Sequence, residues 1–139
     1  VLLNAQQRNA TKRTKENIEK HWTRIVNSYA HNLDTENDGI IESSLVCVLQ
    51  LKVNFPYKNM AQLQDKVDEL VLGGQTENVR YKAFLVATFL KKAEWLQDFE
   101  YLHNIRENVY EQNVPVFDDL TKVMLAKVIR KGKTSVAAQ

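Results

Sequence analysis

Apolar residues along the chain recur at steps of three and four rather than alternating, a spacing that predicts helices almost throughout. Ile18, Trp22, Ile25, Val26, Tyr29 and Leu33 form the first such stripe, predicting an amphipathic helix over about 12–32. The polar run Asp34-Thr35-Glu36-Asn37-Asp38-Gly39 is turn chemistry. A second helix over about 40–54 follows, apolar on nearly all sides as a central element would be. Its end, Leu51 to Phe55, alternates, which leaves a short strand as the competing reading there. Pro56 closes the element by disfavouring helical geometry at Phe55.

Asn59, with Gln62 three residues on, suits the capping of a third helix built on Met60, Leu63, Val67, Leu70 and Val71 and stopped by Gly73-Gly74. Thr76 caps a fourth. From Glu77 to Glu111 there is no Gly or Pro. Val79, Ala83, Val86, Ala87 and Leu90 make one stripe there, and Leu96, Phe99, Leu102, Ile105 and Val109 another. One helix of that length would span ~50 Å, long for so small a domain, so a break near Lys91–Glu94 is expected. Asn113-Val114-Pro115 ends this element; Asp118 or Asp119 caps a last helix on Leu120, Val123, Met124 and Val128, which Gly132 ends. The expectation is one all-α domain over 1–139, with about five helices in stacked antiparallel pairs. The second and fourth helices should be the most buried, with Leu45, Val48, Ala83 and Ala87 between successive pairs. Residues 1–11 and 133–139 are expected to fray.

Thr35-Glu36-Asn37 returns as Thr76-Glu77-Asn78, 41 positions later. Past the two extra residues of the first copy, Asp38 and Gly39, the runs match at an offset of 39. Ile40 answers Val79, Ser44 answers Ala83, Leu45 answers Phe84, Leu51 answers Leu90 and Lys52 answers Lys91. A period of this size points to stacked helical pairs, neither of which can bury its apolar face alone.

The run Val79-Arg80-Tyr81-Lys82-Ala83, with Ala87 one turn further on, resembles the inner helix of HEAT-type repeats. The first copy keeps the apolar positions and the small Ser44, with Ile41-Glu42 in place of Val-Arg. The resemblance covers about 14–93, as repeats over 14–55 and 59–93, with a degenerate third over 94–132. It implies a binding scaffold rather than a reaction. On that reading Glu42, Arg80, Lys82 and Lys91 are exposed on the inner face, and their mixed signs suit a protein or peptide partner.

With 44% hydrophobic and 26% charged residues in 139, the composition is that of an ordinary globular domain with a real core. No stretch approaches the ~20 apolar residues of a membrane span. The single cysteine, Cys47, excludes an internal disulfide and a multi-cysteine zinc site. Charge is distributed unevenly. Residues 1–32 carry +4, 33–119 carry −7 and 120–139 carry +5. The basic ends, with Lys12, Arg13, Lys15, Lys20 and Arg24 on one and Lys127, Arg130, Lys131 and Lys133 on the other, make nucleic-acid binding the rival reading. The acidic middle opposes it, because a phosphate backbone would meet like charge.

Candidate chemistry is sparse. Asp34, Glu36, Asp38 and Gly39 imitate the first half of a calcium loop, but the position that should supply a bidentate Glu is Leu45. Glu100 and His103 form half of a di-iron pair, with no second copy. Ser43-Ser44 with His31 or His21 could be imagined as a nucleophile and base, but such proximity is no evidence for a hydrolase, and no phosphate loop or nucleophile elbow occurs. Trp22, Tyr29, Trp95, Phe99 and Tyr101 fall at helical spacing, which favours packing over base stacking. No enzyme activity, metal or cofactor is expected. Finally, Val1-Leu2-Leu3-Asn4-Ala5 before Gln6-Gln7 looks like the tail of a bacterial secretory signal cut after Ala5, so the expectation leans to an extracytoplasmic protein.

Overall fold

The computed structural model describes residues 5–137, with side chains to residue 132. The proposed signal remnant therefore lies largely outside the described residues. The fold is all-α, and no strand occurs among the described residues. The first predicted helix is two: α1 (Ala5–Lys20) and α2 (Trp22–Leu33). They are separated at His21, whose amide is shared between the carbonyls of Asn17 and Ile18. The bend falls where the apolar stripe gives out. Between Ala5 and Asn17 the chain offers no aliphatic side chain larger than alanine to bury, and α1 has no buried residue although it is helical through part of the stretch expected to fray.

Next come α3 (Asp38–Asn54), α4 (Ala61–Gly73) and α5 (Glu77–Lys91). The alternating stretch at 51–54 is the last turn of α3, not a strand. Short connections make α2–α3 and α4–α5 antiparallel hairpins, stacked with α2 against α4 and α3 against α5. Gly74 sits at the second connection because a Cβ there would come within 2.9 Å of the Leu70 carbonyl oxygen and 3.0 Å of Arg80 Cγ. The core runs through α3 and α5. Leu45, Val48 and Ala83 are fully enclosed and Ala87 nearly so, as the stripes require.

Beyond α5 the expected break occurs at Lys92, but no second long helix follows. Residues 93–112 form three 3₁₀ turns: Ala93–Leu96, Glu100–His103 and Val109–Gln112. The pattern contains the reason. Leu96, Phe99, Leu102 and Ile105 are spaced strictly by three, the period of a 3₁₀ turn, whereas an α-helical stripe needs steps of four among the threes. This segment crosses α3 and buries Leu96, Phe99, Leu102 and Val109. Asn113, at φ 60°, turns the chain through the left-handed region into α6 (Val116–Ala137). Asp118 and Asp119 lie inside its first turn instead of capping it, and Gly132 does not end it. A lone glycine costs a helix only about 1 kcal/mol, too little to stop one that is otherwise well formed.

Candidate functional site

The four residues expected on an exposed inner face are mostly occupied inside the protein. Glu42 is buried. Its carboxylate accepts from Lys82 Nζ at 2.8 Å, from Asn78 Nδ2 at 2.9 Å and from the Tyr110 hydroxyl. Burial by itself would raise the Glu42 carboxyl. The bonds from Lys82, Tyr110 and Asn78 outweigh it and hold the group below its ordinary value. The same contact, with burial, pushes the Tyr110 phenol up to about 12. Lys82 also lies over the Phe117 ring, 4.9 Å from its centre. Arg80 is half-buried and donates to the Gly74 carbonyl at 2.7 Å. Lys91 alone is exposed, 3.5 Å from Asp68 across the surface. Sequence could not show this, because the acceptors and donors come from segments up to 68 residues apart.

Glu42 belongs to a row of polar side chains on α3 that hold the crossing segment. Gln50 Nε2 donates to the carbonyls of Asn104 and Glu107, both at 2.9 Å. Asn54 Nδ2 reaches the Leu102 carbonyl at 3.0 Å, and Asn108 Nδ2 donates to the Ser43 hydroxyl. Short 3₁₀ turns leave backbone carbonyls at their ends without a partner in the turn, and donors from α3 reach those of Leu102, Asn104 and Glu107.

Between this segment and α1–α2 lies a groove of about 720 Å³. α3 forms its floor with Ser43, Ser44, Cys47 and Gln50; Ile18, Ile25, Tyr29 and Ile105 form its walls. Burial pushes the Cys47 thiol up, opposed by the adjoining Tyr29 hydroxyl, and burial raises Tyr29 as well. The thiol is therefore kept in its weakly nucleophilic protonated form.

The second candidate is the outer face of α6. Thr121 Oγ1 bonds the Tyr81 hydroxyl at 2.8 Å; along the same face Leu125, Val128 and Ile129 are then 50–59% exposed. On α5, Tyr81, which makes that bond, and Phe84 one turn further along are exposed as well. Around the exposed face of α6 stand Lys122, Lys127, Arg130 and Lys131, with no acidic residue after Asp119.

The remaining sequence candidates are used locally. Asp34 pairs with Lys66 at 3.0 Å, Asn37 caps α3, and Asp38 is already helical, accepting from Thr76. No group of three or more metal-binding side chains converges among the described residues. Glu100 and His103 are exposed on a 3₁₀ turn. The aromatics pack on one another, Trp22 against Phe55 and Phe89 against Trp95 and Phe99. Among the described residues no helix is long and apolar enough to cross a membrane. Comparison with family models, with curated proteins and with solved structures gave no match.

Proposed function

We propose that this chain is a non-enzymatic helical adaptor that docks an acidic, amphipathic protein segment on α6. The observation that carries the reading is the strip Leu125, Val128 and Ile129, exposed one turn beyond the Thr121–Tyr81 bond and bordered by basic residues. Adjacent exposed aliphatic side chains on one helix face offer the anchors of a helix-to-helix contact. The surrounding positive charge selects a partner of opposite sign. Glu42, Arg80 and Lys82 act in this reading as internal supports, and Lys91 remains a surface residue. A HEAT-like ancestry agrees with a scaffold role but is not needed for it.

The test is fluorescence anisotropy with a helical peptide bearing Leu at steps of three and four among Glu residues. Binding should be lost in the triple variant Leu125→Ser, Val128→Ser, Ile129→Ser, and weakened by Lys127→Glu. Duplex DNA titrated in low and moderate salt addresses the rival. A DNA affinity that falls steeply with salt and survives the triple serine variant, with no peptide binding, would replace the adaptor by a nucleic-acid binder.

A further inference from the structure

The groove above α3 has a property that packing alone does not explain. Ser44 is 3% exposed and lines the groove, yet its hydroxyl has no hydrogen-bond partner among the described residues. Thr14, Thr88 and Thr121, also helical, close back on the carbonyl four residues earlier. Ser44 does not. Gln50 is also 3% exposed, and its amide nitrogen is fully used, while its Oε1 accepts nothing among the described residues. Neither atom is sealed from solvent, since Asn54 Oδ1 is the one enclosed, unpaired side-chain atom among the described residues. Both residues line the groove, and each keeps a polar atom that is neither enclosed nor paired. Ser43 accepts from Asn108, so its hydroxyl proton is still available.

We infer that this groove is a binding site for a small uncharged molecule, largely apolar, with a hydrogen-bond donor at one end and an oxygen acceptor at the other. Ser43 and Gln50 lie seven residues apart on α3, a separation of about 10 Å, which sets the distance between the ligand's polar ends. The donor end meets Gln50 Oε1 and the acceptor end meets the Ser43 and Ser44 hydroxyls. The body lies between Ile25, Tyr29 and Ile105. The groove volume, about 720 Å³, is within the range of small-molecule sites. No formal charge reaches the floor, and the rim carries Arg106 against Glu107 and Glu111, so an anionic ligand is disfavoured. This site is independent of the α6 surface.

Two probes of this class are a hydroxybiphenyl carboxamide and an ω-hydroxyoctanamide, each with its carboxylate analogue as control. Titration into the ¹⁵N-labelled chain should shift the amides of Ser43, Ser44, Cys47 and Gln50 for at least one neutral probe. The carboxylates should bind more weakly. The same neutral probe should slow alkylation of Cys47 at the groove floor. Ser44→Ala should keep the fold and weaken binding about 5-fold, the loss of one neutral hydrogen bond. Ile25→Trp, which narrows the groove from its wall, should abolish binding while the melting transition persists. The site is overturned if neither neutral probe shifts these amides at millimolar concentration, if Ser44→Ala binds as tightly as the parent, or if the carboxylates bind better.

Discussion

α3 and α5 open alike and end up in different surroundings. Asn37 Oδ1 accepts from the Ile40 amide at 3.0 Å, and Thr76 Oγ1 accepts from the Val79 amide at 3.1 Å. These caps are 39 residues apart, the offset at which the sequences match. Burial follows that offset only in part: Ser44 and Ala83 are both buried, and so are Leu51 and Leu90. Ile40 is 42% exposed where Val79 is enclosed, and Leu45 is enclosed where Phe84 is 44% exposed. The two copies therefore share part of a buried face and differ at its edges. A cap is a local device; the buried face is set by what packs against it. α3 is enclosed by α2, α5 and all three 3₁₀ turns, whereas α5 packs broadly on α3 and α4 and only in part on α6 and the first 3₁₀ turn. The second difference is chemical. α3 buries Glu42, Ser44, Gln50 and Asn54, while every buried residue of α5 is apolar. Of these, Glu42, Gln50 and Asn54 bond the crossing segment.

The largest effect should come from the apolar helix. Ala83→Asp places an unpaired carboxylate at the α3–α5 contact and should destabilise by about 4 kcal/mol, read from denaturant unfolding. A variant with an unchanged midpoint would show that Ala83 does not sit in the contact. On α3, Glu42→Leu leaves Lys82 and Tyr110 without their acceptor and should cost about 3 kcal/mol near neutral pH. The folded Glu42 carboxyl titrates below 4.5, so its contribution is complete above that value and disappears as pH falls through the folded value. The leucine variant should therefore show a flatter acid limb than the parent, and an unchanged limb would remove Glu42 from acid unfolding. Tyr110 works in the opposite sense, since its raised phenol makes the contact weaken as pH climbs from 10 through about 12.

Gln50→Leu should cost about 2 kcal/mol, because two carbonyls lose one shared donor. Amide exchange should accelerate in residues 100–112 and stay slow in α5. Uniform acceleration would mean that the segment is held by its apolar residues and not by the polar row. The smallest effect belongs to α6. Leu125→Ser, Val128→Ser and Ile129→Ser should each stay within about 0.5 kcal/mol, since these side chains already meet water. A larger loss would place that face inside the fold and not on a docking surface.

Much of the architecture follows from local rules that sequence carries directly. The all-helical class, the caps at Asn37 and Thr76, the stop at Gly73-Gly74, the break after Lys91 and the burial of Leu45, Val48, Ala83 and Ala87 each depend on spacing or on a few adjacent residues. The 3₁₀ segment was also written there, in the strict three-residue spacing of Leu96, Phe99, Leu102 and Ile105, a signal easily taken for a helix. Tertiary structure decided the rest. Glu42 is a solvated charge or a buried anchor depending on whether Lys82, Asn78 and Tyr110 surround it, and those groups arrive from other elements. The groove exists only because residues 105–111 fold back over α3 opposite α1 and α2. Helix spacing and capping act over one turn of chain, whereas the environment of a polar side chain is made by whatever the rest of the molecule brings to it.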